Sequence, residues 1–103
     1  MDSGIGAMVE AVGEARRQLR ENALPKARDT SRERVPEKEE AELLKALSGL
    51  LEAVVDLADA ASGRMATGDS RETYTKVVRR LRDQAHYLRG DAAKVAKRVG
   101  GAG

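Results

Sequence analysis

The chain has 103 residues, of which 35% are charged, and its formal net charge is only +2. A chain of this length forms one small domain with a thin core, because only about two-thirds of its unfolded surface can be buried. Leu, Val and Ile together number 20, Ala alone contributes 17 residues, and Phe and Trp are absent. With no Cys and one His, disulfides are excluded and a structural metal is improbable, so association is the remaining source of extra stability.

The absence of cysteine fits a reducing compartment. The first residues, MDSGIGAMVEAVGEARR, carry their acids early and their basic pair late, which is the reverse of a signal peptide. No apolar run approaches the length of a membrane span. We therefore expect a cytoplasmic, soluble protein with no membrane partner. Its richness in Ala, Arg, Gly and Val is typical of bacterial or phage genomes of high GC content.

The first predicted helix occupies residues 1–24, with Asp2 or Ser3 as its N-cap. Its apolar positions step by three and four residues: Ile5, Met8, Val12, Ala15 and Leu19. Pro25 disfavours helical geometry in the residue before it, so the helix should end at Leu24. Residues 25–36 are charged and bounded by two prolines, which predicts a linker.

The second predicted helix runs from about Pro36 to Gly63 and begins with acidic residues, which the positive end of the helix dipole favours. One apolar set repeats every three or four residues: Leu44, Leu47, Leu51, Val54, Ala58 and Ala61. A second column lies beside it: Leu43, Leu50 and Leu57. A two-stranded seam needs only a narrow stripe, so this wide face predicts at least two neighbouring helices.

The third predicted helix begins at Asp69, which with Glu72 has the spacing of a capping box, and continues to Val99 before a tail at 100–103. Its apolar positions alternate by four and three residues over more than three heptads: Tyr74, Val78, Leu81, Ala85, Leu88, Ala92, Val95 and Val99.

These patterns predict an all-α protein. The architecture is either a three-helix bundle or an antiparallel helical hairpin over 37–99 with a looser N-terminal helix, and coiled-coil-like heptad packing is expected. We expect the core or protein-binding face to contain Leu43, Leu44, Leu47, Leu50, Leu51, Val54, Leu57, Tyr74, Val78, Leu81, Leu88 and Val95.

Charge is segregated between the two long helices. Residues 37–63 hold seven acids and two bases, a net charge of −5, whereas residues 71–99 hold nine bases and three acids, a net charge of +6. Antiparallel packing would place three flanking arginines, Arg82, Arg89 and Arg98, beside the acidic helix. Five outer bases point away from it and could contact phosphates of a nucleic acid: Lys76, Arg79, Arg80, Lys94 and Lys97.

Residues that could carry chemistry are few. Glu52, Asp56 and Asp59 share a helical face but are expected to be solvated, opposite the leucines. A di-metal bundle would need inward carboxylates and a Glu-x-x-His pair, which the sequence lacks. His86 has no cysteine or second histidine to work with, and no glycine-rich loop precedes a phosphate-binding lysine. We expect no catalytic residues, no metal, no cofactor and no small-molecule substrate.

Tyr87 is followed four residues later by Asp91. This spacing resembles the Tyr-x-x-x-Asp/Glu signal of the helical-hairpin substrates of type VII secretion, which implies a secreted helical hairpin. The match covers five residues, and the sequence lacks the Trp-x-Gly turn of that family.

The sequence therefore favours a non-catalytic module for protein–protein interaction, acting in assembly, as an adaptor or as an inhibitor. Its partner is either a second copy or a different protein. A nucleic-acid-binding accessory protein that uses the outer bases is the main alternative, and a type VII secretion substrate is the third.

Overall fold

The computed structural model describes residues 3–29, 31 and 34–101. Helices make up most of this part of the chain, and it contains no strand. The chain divides into two compact units, Met1–Arg34 and Val35–Gly103. The all-α prediction is confirmed for the described residues.

The first unit begins with α1, Ile5–Gln18. Gly4 is its N-cap, with a φ of 79° that favours glycine because no Cβ clashes there. Ser3 still contributes, since its Oγ accepts a hydrogen bond from the Ile5 N–H at 3.3 Å. Ser3 was expected to be the cap itself, and Asp2 lies outside the described residues. None of the α1 side chains is buried.

Helical structure continues beyond Leu24, the expected end of the first helix. A π-helical turn over Leu19–Ala23 is followed by α2, Leu24–Arg28, with Pro25 in its first turn. The Leu24 N–H donates to the carbonyl of Leu19, five residues back. A wider turn gives the proline ring room, because in a regular α-turn that ring would clash with the carbonyl of the residue four positions earlier. The linker predicted over 25–36 therefore begins in a helix.

The second unit begins with α3, Glu37–Ser62. Pro36 is the N-cap in an extended conformation, and its carbonyl accepts the Glu40 N–H at 2.9 Å. Glu37, Glu39 and Glu40 occupy the first turn, where carboxylates meet the free N–H groups of the helix. Gly63 is the C-cap, so the predicted bounds differ by a single residue at each end.

Helix α4 is Gly68–Gly101. The expected capping role of Asp69 falls to Thr67, because the Thr67 Oγ1 accepts the Ser70 N–H at 3.1 Å. The Thr67 and Ser70 hydroxyls also lie 3.0 Å apart, and the Thr67 carbonyl accepts the Arg71 N–H at 3.1 Å. Gly100 and Gly101 extend α4 into the predicted tail, and residues 102–103 lie outside the described part.

Helices α3 and α4 pack together as a helical hairpin. Its buried hydrophobic residues are Val55, Val78 and Ala85, exposed by 4%, 4% and 6%. Leu51, Ala58 and Leu81 are half-buried around them. A core of three small side chains is thin even for a domain of this size. Packing of the knobs-into-holes kind and a three-helix bundle remain predictions. Among the described helices, none is both long and apolar enough to cross a membrane.

Candidate functional site

The hairpin seam is the line along which α3 and α4 meet. On α3 it consists of Ser48, Leu51, Val55 and Ala58, spaced by three and four residues. Ser48 and Val55 were not among the residues expected there, and both are buried. Leu51, Val55 and Ala58 pack with Val78, Leu81 and Ala85 of α4.

Beside the seam, α3 carries a second apolar line with the same spacing. We call it the exposed stripe, and its members are Leu43, Leu47, Leu50 and Val54. Their exposed fractions are 56%, 41%, 38% and 41%. Leu47 and Val54 were expected to share the seam with Leu51. The structure places them outside it, because the apolar arc of α3 is wider than one neighbouring helix covers.

The remaining predicted face residues are more covered. Val78 is buried, and the half-buried members are Leu44, Leu51, Leu57, Tyr74, Leu81, Leu88 and Val95. On α4 the predicted four-three alternation thus follows the side that meets α3, with Ala92 and Val99 also half-buried. Within the hairpin, the exposed large apolar side chains therefore lie mainly on α3.

The two sides of the hairpin differ in chemistry. Residues that directly follow the seam, Asp56 after Val55 and His86 after Ala85, line one groove of about 340 Å³. Successive residues are about 100° apart around a helix. The residues that precede the seam, such as Val54 on α3 and Val77 on α4, therefore lie on the opposite side. We call these the charged side and the apolar side of the hairpin.

Ion pairs bridge the two helices on the charged side. The Arg82 guanidinium lies 3.7 Å from an Asp59 carboxylate oxygen, and the Arg89 guanidinium contacts Glu52. Glu52 and Asp59 were expected to be solvated, and their side chains are 36% and 61% exposed. They were also expected to lie opposite the leucines, away from the packed face. They instead lie at the edge of the seam, since each follows Ser48 or Val55 by one helical turn.

A third ion pair joins the ends of the hairpin away from the loop. The Arg98 guanidinium lies 3.9 Å from a Glu40 carboxylate oxygen. All three flanking arginines thus face the acidic helix, as the antiparallel arrangement predicted. Exposed ion pairs contribute only about 0–1 kcal/mol each, so they set register and orientation more than stability.

The outer bases are all exposed on α4. Lys76 forms an ion pair with Glu72, one turn earlier, at 3.6 Å. Arg79, Arg80, Lys94 and Lys97 form no ion pair within the described part of the chain. Their charge is available to an external ligand.

A further groove of about 560 Å³ lies towards the open end of the hairpin and is lined mainly by small residues, together with Glu42, Lys45, Glu52 and Arg89. Across residues 3–29, 31 and 34–101, no three His, Cys, Asp or Glu side chains are grouped to hold a metal ion. The His86 ring packs edge-on against Tyr87, with 5.8 Å between ring centroids.

Tyr87 and Asp91 lie one turn apart on α4, and both are exposed. Tyr87 is the most exposed of the large hydrophobic side chains, at 67%. The resemblance to type VII secretion substrates remains a prediction.

Comparison of the chain with protein-family models, with curated proteins and with solved structures found no match. The class of the molecule is therefore defined by its own geometry: a helical hairpin whose two helices are joined by ion pairs and whose α3 carries an exposed apolar stripe.

Proposed function

We propose that this chain is a non-catalytic helical protein that works by binding another protein chain through the apolar side of its hairpin. Assembly, adaptor and inhibitor proteins all act by such binding. The proposal includes a cytoplasmic location for this chain. The observation that supports the proposal is the exposed stripe, in which four large aliphatic side chains remain 38–56% exposed along one helix.

Burial energetics support the same function. Removing apolar surface from water contributes about 25 cal/mol per Å². Burying the exposed leucines of the stripe against a partner would therefore contribute favourably to the free energy of binding. Contiguous exposed apolar surface marks interaction sites in proteins. The hairpin's own buried hydrophobic core holds only Val55, Val78 and Ala85. Covering the stripe would therefore stabilise the fold as well as form a complex, with coiled-coil-like packing as the expected geometry.

Site-specific photocrosslinking tests this proposal. Benzoylphenylalanine in place of Leu50 puts a reactive group on the exposed stripe, and the same group in place of Asp56 puts it on the charged side as a matched control. We expect ultraviolet light to produce a defined protein adduct from position 50 and none from position 56. Equal adducts from both positions, or none from position 50, would contradict the proposal.

Nucleic-acid binding is the second candidate function, and the four outer bases without an ion pair support it. Phosphate contacts by Lys and Arg release counterions, so log affinity falls with log salt by about 0.9 per contact. A mobility shift on generic duplex at several salt concentrations measures this slope. Tight binding that is largely lost when Arg79, Arg80, Lys94 and Lys97 become Gln would favour nucleic-acid binding over protein binding.

A further inference from the structure

The apolar side of the hairpin lies mainly on α3 and reaches α4 at Val77. Next to the exposed stripe of α3, helix α4 contributes Val77, which is 38% exposed, and the half-buried Leu88 and Val95. An occupant of this side must therefore contact two antiparallel helices at once. A second two-helix layer fits that requirement better than one isolated helix, because it buries the apolar strip on α3 and the one on α4 together.

The charges of the two helices restrict what that layer can be. Residues 37–63 carry a net charge of −5 and residues 71–99 a net charge of +6. The ion pairs within the chain engage Glu40, Glu52 and Asp59 of α3. Helix α3 still has Glu37, Glu39 and Glu42, and α4 still has unengaged bases. The best complement to this hairpin is another hairpin with one acidic and one basic helix.

We propose that the apolar side is covered by a second copy of this chain, forming an antiparallel four-helix bundle. This inference rests on the proposed protein-binding function and names the partner. A second copy presents the same apolar side with helices of equal length, which a two-fold interface requires.

Charge also selects the orientation of the two copies. A two-fold axis parallel to the helices places each α3 opposite α4 of the partner subunit, so acidic and basic helices alternate around the bundle. A two-fold axis perpendicular to the helices would instead place α3 against α3 of the partner subunit. Like charges would then face each other, which is unfavourable. We therefore assign the parallel axis, which brings the two interhelical loops to the same end of the dimer.

Sedimentation equilibrium of the full chain tests the association. We expect a species with twice the chain mass of 11.1 kDa that dissociates on dilution. Leu47→Gln with Val54→Gln should raise the dimer dissociation constant at least about tenfold while circular dichroism shows a helical chain. Asp56→Asn, on the charged side, is the control and should leave it unchanged. If the double variant unfolds, Leu43→Gln replaces it, because Leu43 is the most exposed member of the stripe at 56%.

Spin labelling tests the orientation. The chain has no Cys, so Ala66→Cys in the exposed loop between α3 and α4 accepts a single label per subunit. With both loops at one end, the label separation should be within about 25 Å, since neighbouring helices lie about 8–10 Å apart. Loops at opposite ends would separate the labels by about 40 Å, because α3 has 26 residues that each rise about 1.5 Å.

Each outcome decides a separate claim. A native chain that stays monomeric up to high micromolar concentration overturns self-association, while a foreign adduct from position 50 would still support the proposed function. A dimer with labels about 40 Å apart overturns the parallel axis. A dimer that Leu47→Gln and Val54→Gln leave intact overturns the apolar side as its interface.

Discussion

Two lines of residues run along α3 with the same three-four spacing but differ in how far their side chains are exposed. The seam, built from Ser48, Leu51, Val55 and Ala58, faces α4, and its Ser48 and Val55 are buried. The exposed stripe holds three leucines and a valine, and every member is at least 38% exposed. Within the hairpin, position on α3 therefore decides burial: Val55 is 4% exposed, and the neighbouring Val54 is 41% exposed.

This contrast indicates that the leucines of the exposed stripe are not needed for the hairpin itself. The seam residues pack against α4, whereas the stripe supplies apolar area that nothing within the hairpin covers. A helix with so wide an apolar arc is typical of a helix surrounded on more than one side. The seam explains the fold, and the stripe is the basis for the proposed function.

The largest expected effect is the difference in helical signal between the same substitution at two adjacent valines. Val55→Asp puts a carboxylate into the seam, where its desolvation is costly, and should abolish most of the helical signal of the hairpin. Val54→Asp makes the same chemical change on the stripe, where the side chain is 41% exposed, and should keep the signal. Circular dichroism at 222 nm measures both. Similar losses in the two variants would remove the distinction between seam and stripe.

A smaller difference, in the free energy of unfolding, is expected between one leucine of the seam and one leucine of the exposed stripe. Leu51 packs against the buried cluster, so Leu51→Ala should cost about 2 kcal/mol, the low end for leucine truncation because the side chain is only half-buried. Leu47→Ala should cost less than about 1 kcal/mol at protein concentrations low enough to prevent association. Urea denaturation gives both free energies of unfolding. A larger cost for Leu47 under those conditions would mean that the stripe is covered within a single chain.

A still smaller effect is expected on the charged side. Arg89→Gln removes the ion pair with Glu52 and should lower the free energy of unfolding by about 0.2–1 kcal/mol, with the difference shrinking at high salt. Lys94→Gln is the matched control, because this lysine has no ion pair in the described part of the chain. Thermal melts at low and high salt distinguish them. Equal responses would show that the Arg89 pair does not contribute.

The smallest effect should come from the outer surface of α4. Changing Arg79, Arg80, Lys94 and Lys97 to Gln removes exposed charges and should alter the free energy of unfolding by no more than about 1 kcal/mol in all. Association through the apolar side should also persist, as measured by sedimentation. Loss of association in this variant would assign the binding surface to the bases rather than to the stripe.

Most of the helical organisation could be predicted from the sequence. Capping and dipole signals located α3 to within a residue of its ends, and the heptad pattern of α4 identified the side that meets α3. The end of the first helix was predicted wrongly, because a π-helical turn accommodates Pro25. The cap of α4 was assigned to Asp69 instead of Thr67, since acidic residues and hydroxyl residues offer similar capping signals.

The position of the seam was less predictable. The apolar set predicted on α3 combined Leu51 and Ala58, which lie in the seam, with Leu47 and Val54, which lie on the exposed stripe. Ser48 and Val55 follow the same spacing, shifted by one residue from Leu47 and Val54, which is the signal that could have identified them.

The sequence by itself determined the all-α class, the two long helices, the antiparallel ion pairs of the flanking arginines and the segregation of charge. These follow from local periodicity and capping, and from charge positions, which depend on residues close together in the chain. Only the tertiary structure decided which part of the wide apolar face of α3 meets α4. That choice depends on how side chains from two helices distant in the sequence fit together, as Leu51, Val55 and Ala58 do with α4, and local periodicity carries no information about that fit.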